Sequence, residues 1–471
     1  MSRLTARAIA AAVNAGQSAR QEVAAAVTRC SKDQLNAVIR MHEQRALAAA
    51  DRVDARVRAG ERLPLAGVPI ALKDNLCVRG LLTTSCSKVL AGYVAPYTAT
   101  AVARLEAAGA IIVAQTNMDE FAFGSSNETS CNGPVRNPVD PTRIPGGSSG
   151  GSASVVAAGY VPISLGSDTG GSIRQPASLT GCLGMKPTYG RVSRYGLIAF
   201  GSSLDQIGPF ANDAEDAALC LNAMSGQDPL DATSAPQAVD PLPTGDPRAS
   251  LKGLRVGFVQ AHVAGLQPEV AEALERAKTR LREAGATLVP IELAHERFAV
   301  AVYYVIGTGE ASSNLARMDG IRFGHRAQAT ELRDIYAQSR AQGFGAEVKR
   351  RIMLGTYVLS TGYYDAYYKK AQQVRRLICN AYVKAFASCD VILGPTSPTT
   401  AFKLGEKLSD PLQMYLSDIF TIATNLAGVP GLSLPFGADR QGLPIGLQLQ
   451  GPMFSDSRLL HIARGLETLR S

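Results

Sequence analysis

The segment from Pro145 to Ser172 constrains the fold more than any other part of this sequence. It reads PGGSSGGSASVVAAGYVPISLGSDTGGS, so that glycine- and serine-rich stretches flank two apolar runs. A flexible linker does not alternate in this way. The run Ala153–Ala158 predicts a short helix capped by Ser152, and Val161–Leu165 predicts a strand. The segment therefore belongs to a packed core in which tight turns join a helix and a strand.

The residues before this segment predict the same kind of core. Val68–Leu72 reads as a strand that ends at Lys73, Val102–Ala108 as a helix stopped by Gly109, and Ile111–Ala114 as a second strand. Such alternation is typical of an α/β sheet with covering helices. The first 60 residues instead have helical spacing and form an N-terminal helical segment, beginning with a capped helix from Thr5 to about Gly16.

The second half continues this pattern after a long polar connection. Residues 225–252 are rich in Pro, Asp and Ser, which favours a surface connection. We expect a βαβ-like unit after it and a long helix from about Tyr363 to Phe386. The predicted helix of the βαβ-like unit is Pro268–Ala284. The predicted strands of this half are Leu254–Val259, Thr287–Leu293, Val391–Leu393, Leu432–Pro435 and Ile445–Leu449. Since no repeat or break in composition divides the chain, we expect residues 1–471 to form one domain, a large mixed β-sheet covered by helices on both faces.

Charge and cysteine content exclude several classes of function. The net charge of +8 comes from Lys and Arg scattered among Asp and Glu, which favours a solvated basic surface over a nucleic-acid-binding face. None of the eight cysteines forms a C-x-x-C pair, so no metal site is expected. No apolar run approaches the ~20 residues of a membrane span. With no secretory leader expected, we place the protein in the cytoplasm with reduced thiols.

Three kinds of chemistry compete for the glycine-rich segment. A phosphate-binding loop requires Lys and then Ser or Thr after its glycines, whereas Gly151 precedes Ser152 and Ala153. Gly146–Gly150 matches G-x-S-x-G, but that motif needs a catalytic histidine. The five histidines all lie outside glycine-rich or acidic loops: His42, His262, His295, His325 and His461. A buried lysine can replace histidine as the base, and Lys73 is a candidate, although a lysine that snorkels from a strand end would look the same.

Three motifs together resemble the amidase signature family. They are VPIALKDN (Val68–Asn75), GGSSGGSAS (Gly146–Ser154) and DTGGSIRQP (Asp168–Pro176), and they lie within residues 64–210 at that family's spacing. The resemblance implies that Ser172 is the nucleophile, that Ser148 relays its proton after a cis peptide bond, and that Lys73 is the base. It also implies an oxyanion hole formed by the backbone N–H groups of Thr169, Gly170, Gly171 and Ser172.

Further segments are similar to the glutamine-hydrolysing members of this family that serve tRNA-dependent amidotransferases. They include TNMDEFAFGSSNETS (Thr116–Ser130), EASSNLARMDGIRFGHR (Glu310–Arg326), EVKRRI (Glu347–Ile352) and DIFTIATNLAGVPGLSLP (Asp418–Pro435). This similarity implies that Arg351 binds the carboxylate of free glutamine, with Arg350 as a rival. It places Asp418 on the ammonium group and Tyr303 in the pocket wall.

The same similarity implies partners. A second protein chain would bind misacylated tRNA, ATP and Mg²⁺ and use the released ammonia, and a small third chain would complete the complex. No cofactor is expected in this chain. Two alternatives stay open at this point: a free-standing amidase with a different substrate, and a non-catalytic scaffold or nucleic-acid-binding protein.

Overall fold

The computed structural model describes residues 5–470; residues 1–4 and 471 of the predicted domain lie outside it. All the strands in this part of the chain belong to one sheet in the order β1-β3-β2-β4-β6-β5-β10-β11-β9-β7-β8. The strands are β1 Val38–Met41, β2 Pro69–Lys73, β3 Ile111–Thr116, β4 Ile163–Asp168, β5 Leu183–Lys186, β6 Gln206–Ala211, β7 Arg255–Val259, β8 Thr287–Ile291, β9 Val391–Pro395, β10 Gly431–Ala438 and β11 Pro444–Gln450.

Helices follow or precede nearly every strand. They are α1 Ala6–Asn14, α2 Ala19–Cys30, α3 Glu43–Arg58, α4 Thr100–Ala107, α5 Gly150–Ala157, α6 Arg174–Thr180, α7 Ala214–Met224, α8 Pro268–Glu283, α9 Ala299–Asn314, α10 Leu332–Gly343, α11 Ala346–Leu359, α12 Lys370–Ser388, α13 Pro411–Tyr415, α14 Ile422–Ala427 and α15 Asp456–Glu467. No helix among residues 5–470 is long and apolar enough to cross a membrane.

The central strands are buried on both faces, which confirms the predicted mixed sheet with helices on either side. Every residue of β2, β3, β4, β5, β6 and β9 is buried. Because successive side chains of a strand point to opposite faces, complete burial requires cover on both. Strand β2 runs parallel to β3 and β4, whereas β4 and β6 are antiparallel. The carboxyl ends of β2 and β4 therefore lie side by side, which brings Lys73 and Asp168 to the same edge.

Most predicted elements are present with shifted ends. The helix predicted after Ser152 begins earlier, because Ser149 occupies the N-cap position and Ser152 lies inside α5. The Ser152 hydroxyl instead donates to Leu165 O at 2.9 Å and ties α5 to β4. The long helix near Tyr363 begins with a π-helical turn at Asp365–Lys369 before α12.

The helical prediction for the first 60 residues is wrong at Val38–Met41, which forms the edge strand β1. This strand pairs antiparallel with β3, so a tertiary contact overrides the local pattern. The capped first helix is confirmed, since Thr5 Oγ1 accepts from Ala8 N at 3.3 Å. The segment 225–252 contains only one short 3₁₀ turn, Pro247–Leu251. The assignment of residues 1–471 to one domain stays a prediction.

Two helical glycines differ sharply in the space around them. A Cβ added at Gly355 of α11 would collide with the backbone oxygen of Thr308 on α9 and lie 2.8 Å from Ser312 Cβ. At Gly307 of α9 the nearest atoms would be 3.9 Å away. The crossing of α9 and α11 therefore depends on Gly355 and not on Gly307.

We expect Gly355→Ala to lower the free energy of unfolding by about 1–3 kcal/mol, because the helices must separate to admit the methyl group. Gly307→Ala is the matched control. It should raise the same quantity by about 0.4–1 kcal/mol, since alanine restricts the unfolded chain without a clash. Denaturant titration of both variants gives the measurement. Equal effects of the two substitutions would contradict the packing described for this crossing.

Candidate active site

The side chain of Lys73 ends in a cluster of serine hydroxyls. It is completely buried at the carboxyl end of β2. Its Nζ lies 2.8 Å from Ser148 Oγ, 2.8 Å from Ser149 Oγ and 3.0 Å from Ser167 Oγ. Burial lowers the pKa of Lys73 to about 7, although nearby carboxylates such as Asp119 oppose the shift. The amine can therefore be neutral near neutral pH and can accept a proton from a neighbouring hydroxyl.

The loop before α5 presents Ser148 to this lysine. The peptide bond Gly147–Ser148 is cis, as the family resemblance implies. Gly147 N donates to Gln175 Oε1 at 3.0 Å, and Ser148 O accepts from Asp119 N at 3.2 Å. A Cβ at Gly147 would lie 2.7 Å from Ser126 N, so no side chain fits at this position. The Ser148 hydroxyl is thus fixed by the backbone on both sides.

Ser172 lies in the loop that joins β4 to α6, and a buried ion pair holds this loop. Asp168 Oδ1 accepts from Gly171 N at 2.8 Å, and Oδ2 accepts from Ile173 N at 3.1 Å. The Arg174 guanidinium contacts the same carboxylate, with Nε 3.1 Å from Oδ2. Burial alone would raise the pKa of Asp168, but Arg174 holds it at about 2. The carboxylate is therefore ionised and organises the turn around Ser172.

These contacts correct the predicted oxyanion hole at one position. Since the Gly171 amide already donates to Asp168, it is not free to bind an oxyanion. Within residues 5–470, the amides of Thr169, Gly170 and Ser172 donate to no other atom. Gly171 is nevertheless required as glycine, because its φ is +147° and a Cβ would collide with Thr421 Oγ1. Three of the four predicted N–H groups remain available.

The proton path expected from the sequence is half formed. The Lys73–Ser148 contact is present, whereas the Ser172 hydroxyl has no hydrogen-bond partner in the described part of the chain. Catalytic hydrogen bonds are often long in a protein without substrate and shorten in the complex. The structure thus brings the three residues to one edge of the sheet and leaves the Ser148–Ser172 contact open.

Asp418 lies beside the Ser172 loop with one carboxylate oxygen unsatisfied. Its Oδ2 accepts a hydrogen bond from Ser125 Oγ, and its Oδ1 is buried without a partner among the described residues. A Cβ at Gly171 would be 3.1 Å from that oxygen, which shows how close it lies to the loop. Burial raises the pKa of Asp418 to about 7. A cationic group bound here would satisfy Oδ1 and favour the ionised carboxylate.

The structure distinguishes the two rival arginines. The Arg351 side chain is 4 % exposed, whereas the Arg350 side chain is 47 % exposed. The Arg351 guanidinium lies among four aromatic rings, and it is 5.3 Å from Phe123 and 5.2 Å from Tyr304. Both arginines line a cavity of about 240 Å³ beside the loop of Ser125, so burial and the aromatic contacts are what separate them. Arg351 is therefore the buried arginine of the two.

Tyr303, which the family resemblance placed in the pocket wall, packs against the loop of Ser172. Its ring is packed on Gly170, where an added Cβ would be 2.7 Å from Tyr303 Cζ. The ring also meets Phe200 edge to face with centroids 6.4 Å apart. It is buried between the Ser172 loop and the aromatic side chains that surround Arg351.

Sequence reasoning missed the residues that hold these loops in place. Asp168 and Arg174 fix the nucleophile loop, and Gln175 connects it to the Ser125 loop through Nε2 and Ser125 O at 2.9 Å. All three lie in the motif DTGGSIRQP, so the signal was present as charged and amide side chains beside a glycine turn. Among residues 5–470, no group of three His, Cys, Asp or Glu side chains could hold a metal ion.

A buried lysine, a serine after a cis bond and a serine in the loop after the neighbouring strand thus lie at one edge of the sheet. The model of the Amidase family matches residues 22–460. The chain belongs to this family.

Known proteins narrow the relationship further. The chain is 54 % identical over 437 residues to the A subunit of glutamyl-tRNA(Gln) amidotransferase from Koribacter versatilis, covering 92 % of this chain and 91 % of that protein. It is similar to the crystal structure of the corresponding protein from Thermotoga maritima, with 40 % identity and a TM-score of 0.78. The match covers 95 % of this chain and 90 % of that protein. It is also similar to the structure of the peptide amidase of Stenotrophomonas maltophilia, with 31 % identity and a TM-score of 0.83. This match covers 99 % of this chain and 97 % of that protein.

We expect Asp168→Ala to lower the free energy of unfolding by about 3–5 kcal/mol, because Arg174 would keep a buried charge without its partner. The control is Asp51→Ala, which breaks an exposed pair with Arg20 at 2.7 Å. That loss should stay under about 1 kcal/mol. Denaturant titration measures both. Similar values for the two variants would mean that the buried pair does not hold the loop.

Proposed function

We propose that this chain is the glutamine-hydrolysing subunit of a tRNA-dependent amidotransferase. One observation carries the proposal: charges complementary to a free amino acid lie beside the loop of Ser172 and the adjoining loop of Ser125. Asp418 Oδ1 is buried without a partner among residues 5–470 beside the Ser172 loop. Buried Arg351 lines a cavity together with Ser125, whose hydroxyl donates to Asp418 Oδ2. A free glutamine presents an ammonium and a carboxylate, and such a site would satisfy both. The similarity to the A subunits of this enzyme class supports the same function.

The proposed reaction is acyl transfer from the glutamine side chain. Ser172 Oγ attacks the amide carbon while its proton passes to Ser148 Oγ, and the Ser148 proton passes to neutral Lys73. The free amides of Thr169, Gly170 and Ser172 stabilise the oxyanion. The C–N bond then breaks, and ammonia leaves with the proton returned from Lys73 through Ser148. Water attacks the ester by the same route, which releases glutamate and restores Ser172.

The released ammonia requires an acceptor outside this chain. The sequence has no phosphate-binding loop with a lysine, so carboxylate activation falls to a partner. We assign ATP and Mg²⁺ to the B subunit of the amidotransferase, which would amidate misacylated Glu-tRNA(Gln), Asp-tRNA(Asn) or both, and the small C subunit would complete a cytoplasmic heterotrimer. The relatives are named as subunits of a larger enzyme, which supports a complex of several chains. In this proposal residues 1–471 act as one amidase domain.

The alternative function is a free-standing amidase. The observation in its favour is the fold similarity to a peptide amidase, but the sequence similarity to that enzyme is lower. That enzyme shares 31 % of its residues with this chain, compared with 54 % for the Koribacter protein. Ammonia release from free glutamine, measured together with glutamate formation, separates the two functions.

We expect Ser172→Ala to lower glutamine hydrolysis at least about a thousandfold, because it removes the covalent route. The co-purified complex should still amidate misacylated tRNA when ammonium chloride replaces glutamine in the presence of ATP and Mg²⁺. The matched control is Ser31→Ala, a substitution at an exposed serine, which should leave both activities unchanged. If the intact mutant complex failed with ammonium as well, this chain would contribute to the second reaction. Amidation by the isolated chain would overturn its proposed role in a multi-chain enzyme.

We expect Lys73→Arg to be as damaging as Lys73→Met, since arginine stays protonated and cannot accept a proton. In the wild type, kcat/KM for glutamine should fall below pH 7 with a slope that approaches about a hundredfold per pH unit, because neutral Lys73 and ionised Asp418 are both required and the pKa of each is about 7. Steady-state assays from pH 5 to 9 give this profile. Substantial activity of the arginine variant would make Lys73 an electrostatic residue and exclude the proposed proton path.

A further inference from the structure

The guanidinium of Arg351 is held by one nitrogen only. Its Nε donates to Glu347 Oε1 at 2.8 Å, one helical turn earlier in α11. Neither Nη1 nor Nη2 has a hydrogen-bond partner among residues 5–470. A guanidinium has five N–H donors, so four remain free. These four lie on the two terminal nitrogens, which is the arrangement that binds a carboxylate through two parallel hydrogen bonds.

The Glu347 carboxylate is itself fixed from three directions. Besides Arg351, Oε1 accepts from the Tyr415 hydroxyl at 3.0 Å, and Oε2 accepts from Arg350 Nη1. The Glu347 side chain is only 14 % exposed. Its position therefore depends on two separate segments, α11 and α13, and it cannot turn towards solvent without losing all three contacts.

Aromatic rings block the other orientations of Arg351. The Tyr415 ring stacks on Tyr304 with centroids 3.9 Å apart, and Arg351 Cζ is 5.3 Å from the Tyr415 ring. Phe200 lies 5.9 Å from the same atom. An exposed i,i+4 ion pair on a helix would contribute only a few tenths of a kcal/mol and would leave the arginine mobile. This pair differs because both members are enclosed and a third residue, Tyr415, binds the glutamate.

We propose that Glu347 is a positioning residue that makes the site selective for amides with an α-carboxylate. It binds Arg351 through Nε, so that the two Nη groups stay directed towards the substrate, and Tyr415 fixes Glu347 in turn. The inference rests on the proposed glutaminase function and extends it to a second layer of residues. In this proposal Glu347 acts on the substrate through Arg351.

The test compares glutamine with 4-aminobutanamide, which keeps the amide and the ammonium but lacks the carboxylate. We expect Glu347→Ala to raise KM for glutamine about tenfold with kcat within twofold, because the lost interaction exists in the ground state and the transition state alike. The values of kcat/KM for 4-aminobutanamide should stay within twofold. Glu347→Gln keeps an acceptor for Nε, so its KM should rise only about threefold, and Tyr415→Phe should resemble it.

The control is Asp365→Ala, which breaks an exposed i,i+4 pair with Lys369 at 3.1 Å. This variant should leave KM and kcat unchanged for both substrates. Assays use the full-length chain, alone and in the co-purified complex, with circular dichroism to confirm folding; if Glu347→Ala does not fold, the Gln and Phe variants decide. Unchanged KM for glutamine, or equal losses for both substrates, would overturn the inference. Equal cleavage of both substrates by the wild type would also overturn the inference about Glu347, although the proposed amide hydrolysis would still stand. A wild type that releases no ammonia from glutamine would instead defeat the proposed function.

Discussion

Burial of the Lys73 amine is the constraint on which the rest of the site depends. An amine enclosed without water must find its hydrogen bonds in the protein, and here serine hydroxyls from the α5 loop and from β4 supply them. The same burial lowers the pKa of Lys73 to about 7, so that a residue normally protonated can serve as a base. Packing and chemistry therefore share one cause, since the contacts that stabilise the lysine also place it beside Ser148.

A buried ion pair near Lys73 holds the loop of Ser172 in place. Asp168 and Arg174 lie on either side of Ser172, and their contact closes the loop between β4 and α6. Arg174 also donates to Thr421 O at 3.0 Å, which connects the nucleophile loop to the segment that carries Asp418. The loop of Ser172 and the segment of the proposed ammonium ligand are thus held by the same guanidinium.

The sequence predicted the core of the site better than its surroundings. Lys73, Ser148 and Ser172 lie in motifs whose residue types and spacing are specific, and the structure brings all three to one edge of the sheet. The edge strand β1 was missed because its local pattern resembles the helices around it, and only pairing with β3 defines it. The involvement of Gly171 N with Asp168 could not be predicted, since it depends on where a buried carboxylate turns. Arg350 and Arg351 are neighbours in sequence, and only the direction of α11 relative to the aromatic rings separates them.

The order of strands in the sheet has an evolutionary consequence. Lys73, Ser148 and Ser172 lie in β2, in the loop before α5 and in the loop after β4, all within the first 172 residues, whereas Arg351, Glu347, Tyr415 and Asp418 come from a later stretch of helices. Mutations in that stretch can change which amide is recognised while the hydrolytic residues stay in place. Duplicated copies of such a gene could thus acquire new substrates by drift in one half of the chain, without passing through an inactive intermediate.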